Sequence, residues 1–291
     1  MTQNDSIKLL FIINPNSGNS RINWTEEIEN YFADSGHIIS LFHLEKNCNL
    51  DTIREKIKSF SPQKVIAVGG DGTVKLVAEC IINTKIQLGI LPAGSANGLA
   101  KEFNISNVPT EALDTILKGN TQKIHAIKVN DELCIHLSDV GLNAYVVKEF
   151  ENQPMRGMWG YLMASIKVLW QNPLMNIRMK IHGKIIKVKA KMIVIANATK
   201  YGSGAIINPI GKLDDEFFEV IVMKKVSVRE MFKMVYSHEE YDVEKTEVFQ
   251  TNELNIKSIR RVHFQIDGEY LGKVREVKAM MVPDCLEVII P

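Results

Sequence analysis

Cysteine is scarce in this chain and unpatterned. The four, Cys48, Cys80, Cys134 and Cys285, have neither C-x-x-C nor Cys…His spacing. That argues against a structural zinc site and fits a reducing cytoplasm. No apolar run nears the roughly 20 residues needed to span a bilayer. The opening Met1-Thr2-Gln3-Asn4-Asp5 is polar, unlike a signal peptide. A net charge of +1 gives no strong field for nucleic acid, which is not expected as a partner. Internal repeats, low-complexity segments, a Walker loop and G-x-G-x-x-G are all missing. What is present is 291 residues, 45% hydrophobic and 24% charged, enough for one large or two modest cores.

The most informative stretch is Gly69-Gly70-Asp71-Gly72-Thr73. The apolar run Val65 to Val68 leads into it, and a helix-compatible run, Val74 to Ile82, follows. In open α/β sheets ligands bind at the carboxyl ends of strands. Glycine lets a bulky ligand approach the backbone, and the first N–H groups of a helix favour anions. A carboxylate at Asp71 beside phosphate oxygens is repulsive unless a cation lies between them, so a nucleotide phosphate with a divalent metal is one reading. A tight turn without a ligand is the other.

Two further loops of the same kind bear on that choice. Strand-like Lys8 to Ile13 runs into Asn14-Pro15-Asn16-Ser17-Gly18-Asn19, where Pro15 disfavours helix at Asn14 and Ser17 and Gly18 form turns. Strand-like Leu88 to Leu91 runs into Pro92-Ala93-Gly94-Ser95-Ala96-Asn97-Gly98. Ser95 and Asn97 can donate to phosphate oxygens or cap the helix that follows. The candidate nucleotide set is Asn14, Pro15, Asn16, Ser17 and Gly18, then Gly69, Gly70, Asp71, Gly72, Thr73, Val74 and Lys75, then Gly94, Ser95 and Asn97.

Organisation changes near residue 125. Before it, strands at 8–13, 37–43, 64–68 and 87–91 alternate with helices at 22–34, 50–59, 74–82, 97–103 and 110–118. Gly36 and Gly119 stand where helix C-caps are expected. After it come short alternating runs. Ile177 to Ile181 and Ile185 to Lys189 flank His182-Gly183-Lys184, and Val262 to Ile266 and Tyr270 flank Asp267-Gly268, both hairpin signals. Helices are expected near 160–171 and 227–237. The expected fold class is α/β: an N-terminal, mostly parallel α/β nucleotide-binding domain, 1–125, and a C-terminal β-sandwich-like domain, 126–291, whose last strand is able to return to the first.

Asn14-Pro15-x-Ser17-Gly18, Gly69 to Thr73 and Pro92-x-Gly94-Ser95-x-Asn97-x-x-Ala100 resemble, in order and spacing, the diacylglycerol kinase catalytic-domain family, which includes bacterial lipid kinases, ceramide kinases and sphingosine kinases. The likeness continues through Asn197, Tyr201-Gly202-Ser203-Gly204, Pro209 and Asp215 to Gln265-Ile266-Asp267-Gly268-Glu269. The resemblance implies ATP on the first domain's loops, lipid on the second, and chemistry in the cleft between them. It implies Glu269 as general base on the lipid hydroxyl, Asp71 as the acid nearest a catalytic Mg²⁺, and Asp215 with the carbonyls of Lys212 and Phe217 as a structural metal position. From the residues alone, Asp267-Gly268-Glu269 is also an ordinary hairpin turn with an exposed acid, and Leu213 to Phe217 an acidic turn.

The family pattern is broken in three places. Its third loop commonly reads G-T-x-N-D, where this chain has Ser95 for the threonine and Gly98 for the acid. A second acid aligns with His125, and G-x-G-F-D-A is here Asp139-Val140-Gly141-Leu142-Asn143-Ala144. Three functions therefore stand open: an ATP-dependent lipid kinase, a soluble-substrate kinase of the NAD kinase kind, and a catalytically poor nucleotide-binding regulator. Met155, Met158, Trp159, Met163 and Trp170 read as core packing or as an apolar mouth for acyl chains. Lys184, Lys187, Lys189 and Lys191 read as a solvated strand face or as contacts to anionic head groups. The expected setting is cytoplasmic, peripheral to the inner face of a membrane; a homodimer stays open.

Overall fold

The computed structural model describes residues 6–18, 22–45, 48–151, 168, 174–201, 205–225 and 245–291. The expected helices near 160–171 and 227–237, the Met155 to Trp170 cluster and Gly202 to Gly204 lie outside them, apart from Val168. The chain divides into two compact units, residues 1–124 with 284–291, and residues 125–283.

The first unit alternates β1 (Lys8–Ile13), α1 (Trp24–Phe32), β2 (Ile38–His43), α2 (Leu50–Phe60), β3 (Lys64–Gly69), α3 (Asp71–Ile81), β4 (Gln87–Pro92), α4 (Gly98–Glu102) and α5 (Pro109–Lys118). Its strands are parallel in the order β2-β1-β3-β4. Glu287 and Val288, near the end of the chain, add a further parallel pairing on Gln87 and Leu88. Leu9 to Ile13, Val65 to Val68 and Leu88 to Leu91 are buried without interruption. A parallel strand covered on both faces has no solvent side, so its sequence shows no polar alternation. On α1 the buried Trp24, Ile28 and Phe32 are four residues apart, one face of a helix. Asn23 and Asn49 accept from the first turns of α1 and α2, and Pro109 opens α5.

Two expectations about glycine and helix ends resolve differently. Gly36 takes the left-handed conformation, φ +70°, but α1 ends at Phe32 with Ala33 as its cap, so Gly36 shapes the turn beyond the helix and does not cap it. Gly119 caps α5 in extended backbone, φ −67°. A Cβ there would stand 2.4 Å from the Ile290 carbonyl oxygen and 2.5 Å from that of Thr115, so crowding rather than backbone sign demands glycine. Helix α3 starts at Asp71, three residues before the expected Val74.

The second unit contains β5 (Asn120–Val129, entering it after Ile124), β6 (Glu132–Cys134), β7 (Leu137–Gly141), α6 (Leu142–Glu151), β8 (Met175–Ile181), β9 (Lys184–Ala190), β10 (Met192–Ala196), β11 (Lys200–Tyr201), β12 (Ala205–Ile206), β13 (Phe218–Met223), β14 (Thr246–Thr251), β15 (Glu253–Ile266) and β16 (Glu269–Ile290, leaving it after Pro283). All of its registered pairings are antiparallel. Strand β15 belongs to two layers. Leu254 to Ser258 pairs with β8 and Phe264 to Ile266 pairs with β7, with a register shift between Lys257 and Val262 that bends the strand. The sandwich-like core lies between them, with Ile127, Met179, Ile195, Phe218, Leu254 and Phe264 in one buried cluster. Strand β10 is apolar throughout because Ile193 and Ile195 face that cluster while Met192, Val194 and Ala196 face a second one with Leu142 and Val146 of α6. Both expected hairpins form. His182-Gly183 and Asp267-Gly268 have positive φ at both residues, the mirror-image turn that matches strand twist.

Candidate nucleotide and phosphoryl-transfer site

The three loops after β1, β3 and β4 lock onto one another. Asn14 N–H donates to Val68 O at 3.0 Å, and Asn14 Nδ2 donates to Thr73 Oγ1 at 3.1 Å. Asn14 also accepts from Asn16 N at Oδ1 and from Ser17 N at its carbonyl. A Cβ on Gly18 would stand 2.5 Å from Ala93 O, one on Gly94 2.4 Å from Gly70 Cα, and one on Gly69 2.3 Å from Thr73 Oγ1. Gly18 and Gly94 are thus required by loop-on-loop packing, and Gly69 by the fold of its own segment back onto Thr73. Gly72 differs: a Cβ there would meet nothing within 4 Å. It lies in the first turn of α3, whose N–H groups have no partner within the helix, and beside it space is open for an anion.

Asp71 and Asn97 are committed in ways the sequence did not reveal. Asp71 Oδ2 accepts from Gly98 N and Oδ1 from Leu99 N, both at 3.0 Å, so this carboxylate caps α4. Asn97, expected to cap α4 or bind phosphate, has φ +51° and closes its own loop instead. Its Oδ1 accepts from Gly94 N and its Nδ2 donates to Gly94 O, each at 2.8 Å. Ser95 is exposed.

In the second unit the D-G-E hairpin is held from both sides. Asp267 Oδ1 accepts from His136 N at 3.0 Å and Leu137 N at 3.1 Å, and Oδ2 from Ile135 N at 3.1 Å. Gln265 Oε1 accepts from Gly268 N at 2.7 Å, while its Nε2 donates to Asp139 Oδ2. Asp139 is fully buried and also accepts from Asn143 Nδ2 and, at 2.8 Å, from Ala144 N. Burial pushes its carboxyl up to about 6, against the pull of those three donors. A buried chain, Asp139 to Gln265 to Gly268, thus ends at the turn that presents the exposed Glu269. Beside it His263 stacks on Tyr145, ring centroids 4.2 Å apart, with Nδ1 2.8 Å from the Tyr270 hydroxyl. Burial, then Lys273 and Lys148, push this imidazole down to about 4.

Sequence reasoning named Glu269 and missed its mount. The available signal was the exchange in Asp139-Val140-Gly141-Leu142-Asn143-Ala144, where an acid replaces the first glycine of the resembled pattern and Asn143 replaces its acid. The structure shows these two side chains bonded to each other. Elsewhere in this unit Asn197 Nδ2 ties His125 O to Ile135 O at 2.8 and 3.2 Å. Asp215 Oδ1 accepts from Phe217 N at 3.2 Å, and Lys212 is exposed. Nearby Glu219 is buried, which raises its carboxyl, and accepts from Gln250 and Asn208. Among the described residues no three His, Cys, Asp or Glu side chains are grouped closely enough to hold a metal ion. No helix among them is long and apolar enough to cross a membrane.

A parallel α/β unit with three interlocked loops at its strand ends, joined to an antiparallel sandwich, is the plan of a nucleotide-handling phosphotransferase. Known families agree. The diacylglycerol kinase catalytic domain matches residues 8–129, and the YegS C-terminal NAD kinase beta sandwich-like domain matches residues 138–290. The chain belongs to the diacylglycerol kinase family, a family of lipid kinases. It is 25% identical over 247 residues to a diacylglycerol kinase of Staphylococcus aureus strain Newman, covering 82% of this chain and 78% of that protein. Its fold is similar to a crystal structure of a diacylglycerol kinase from Bacillus anthracis (TM-score 0.77, 17% identity, 99% of this chain and 98% of that one). An NAD kinase from Archaeoglobus fulgidus in complex with ATP is more distant (TM-score 0.56, 10% identity, 97% and 93%).

Proposed function

We propose that this protein is an ATP-dependent lipid kinase that moves the γ-phosphate of ATP to a hydroxyl of diacylglycerol or a related lipid. The observation that carries the reading is the D-G-E hairpin, in which an exposed Glu269 follows a turn pinned by Asp267 on one side and Gln265 on the other. Precise mounting of an acid is what general-base catalysis needs, and proton transfer from such a group contributes roughly 10²–10⁴ in rate. Glu269 takes the proton of the lipid hydroxyl as that oxygen bonds to the γ-phosphorus and the bond to the ADP oxygen breaks. The loops at Asn14 to Gly18, Gly69 to Lys75 and Gly94 to Asn97 orient the triphosphate, with the open backbone at Gly72 nearest to it.

Mg²⁺ neutralises phosphate charge when bound. Asp71 fits the ion: two N–H bonds leave part of its roughly four acceptor sites free, and Mg²⁺ needs few carboxylates because it keeps several waters. Asp215, with the carbonyl oxygens of Lys212 and Phe217, is an all-oxygen set suited to a structural Mg²⁺ or Ca²⁺. The protein works in the cytoplasm, at the inner face of the membrane that holds its substrate.

Incubation with labelled ATP, Mg²⁺ and a total lipid extract tests the reading. A labelled lipid supports it, and Glu269→Gln then abolishes transfer while ATP binding persists. Labelled NAD instead makes it a soluble-substrate kinase. Nucleotide binding without transfer makes it a regulator, the reading favoured by the capping duty of Asp71 and by Gly98 and His125 where the resembled family has acids.

A further inference from the structure

The outer face of the four-stranded layer β9-β8-β15-β16 carries a concentration of positive charge that the fold does not require. One cross-strand row reads Lys187, Arg178, Lys257, Glu276, and the next Ile185, Lys180, Asn255, Lys278. Lys189 stands opposite Asn176 in the row beyond. The whole chain has a net charge of +1, yet these rows hold six cations against one acid, Glu276, with a second acid of the same face, Glu253, opposite Met280 in the adjoining row. Glu276 is already matched to Lys257 at 3.4 Å. Among the described residues no acid lies within ion-pairing distance of Arg178, Lys180, Lys187 or Lys189.

Directly opposed like charges on a sheet are destabilising, and Arg178 has Lys187 on one side and Lys257 on the other. Protection of an exposed strand edge accounts for lysines on β9, the outermost strand of this layer. It does not account for Arg178, Lys257 and Lys278 on inner strands. Within the same face Ile185 is 70% exposed, and Met280, two residues beyond Lys278 on β16, is 55% exposed.

We propose that this face is a docking surface for a bilayer containing anionic phospholipid, with Ile185 and Met280 entering the interface among the head groups. A sheet face this broad meets a plane over many charges at once, and protruding aliphatic side chains among cations suit a surface that is anionic outside and apolar beneath. The proposal rests on the lipid-kinase reading for its biological sense, but its test does not need turnover.

The full-length protein is sedimented with phosphatidylcholine vesicles and with vesicles containing phosphatidylglycerol. Binding is expected to the anionic vesicles alone and to weaken as salt is raised. Each cation near such a surface is worth about fivefold in binding, so Arg178→Gln/Lys187→Gln/Lys189→Gln lowers binding on the order of a hundredfold. That variant keeps turnover on lipid in neutral detergent micelles. Ile185→Trp, which alters one exposed position, reports separately: its fluorescence shifts to the blue on anionic vesicles. Equal binding to neutral vesicles, binding unaffected by the triple change, an unshifted Trp, or tighter binding to duplex nucleic acid at the same salt overturns the proposal. Turnover in micelles without vesicle binding sinks the docking face and leaves the kinase standing; vesicle binding without any turnover does the reverse.

Discussion

Gln265→Met is the perturbation that most directly tests how the second unit holds Glu269, the proposed general base. Gln265 is fully buried and does two things at once: it donates to Asp139 and accepts from Gly268 N–H. Methionine keeps the length and volume but removes both bonds. Gly268 N–H, on an exposed residue, turns to water, while the buried Asp139 carboxyl loses a donor, at about 1–3 kcal/mol, and the turn before Glu269 loses one of its two anchors. Misplacement of a reacting group by about 1 Å costs up to roughly 10²-fold. We therefore expect kcat to fall about 10–100-fold with little change in KM for ATP, because the loops proposed to hold it are in the other unit. Asp139 meanwhile loses a donor to its ionised form, so its carboxyl rises further above about 6.

A packing role alone predicts the same stability loss, so the discriminating variant is a charge exchange. Gln265→Glu sets a second carboxylate against Asp139, and one of the two must take up a proton. Adding Asp139→Asn restores the logic: Asn at 139 donates to the new carboxylate, which still accepts from Gly268 N–H, and, once the Asn143 amide turns over, to Asn143 Oδ1, while its own oxygen serves Ala144 N–H. Turnover with diacylglycerol should drop in the single Gln265→Glu variant and recover to within about threefold of wild type in the double variant. If Gln265→Met turns over at the wild-type rate, or the double variant is no better than Gln265→Glu alone, the buried chain does not position Glu269.

Three other perturbations have definite outcomes. Asp71→Ala removes the cap of α4, costing about 1 kcal/mol, and should abolish Mg-ATP binding in calorimetry; unchanged affinity would show that Asp71 only caps. Gly72→Ala should keep or modestly raise the melting temperature, since alanine is favoured over glycine in a helix by about 0.5–1 kcal/mol, and weaken ATP binding, whereas Gly94→Ala should destabilise the first unit, because its Cβ would stand 2.4 Å from Gly70 Cα. His263, held near 4 instead of 6.5, is folded in its neutral form, so its contribution is fully present above pH 6.5 and is lost as pH falls through about 4. Relative to His263→Phe, which keeps the stack on Tyr145, wild-type stability measured by urea unfolding should decline over that window, by on the order of 1–3 kcal/mol once solvent screening is allowed for.

Local pattern made the first unit legible almost element by element, because buried parallel strands are unbroken apolar runs and the helices between them repeat at i, i+4. The turns at His182-Gly183 and Asp267-Gly268 were equally readable, since few residue pairs accept two successive positive φ values. What escaped were bonds between residues far apart in sequence: Asp71 to Gly98 at a separation of 27, Gln265 to Asp139 at 126, Asp267 to His136 at 131. Nothing in a run of residues marks which distant N–H a carboxylate will accept. The glycines show the same limit from the other direction. Gly18, Gly69, Gly70, Gly72 and Gly94 look alike in sequence, yet Gly18, Gly70 and Gly94 are crowded by the approach of one loop to another and Gly69 by Thr73 of its own segment. Only Gly72 is left with open space at its Cβ position, and its substitution by alanine is therefore the change that separates a phosphate cradle from a tight turn. With open space at that Cβ and helical backbone beneath it, the methyl group has nothing to destabilise, so a loss of ATP affinity without a fall in melting temperature has to come from the ligand.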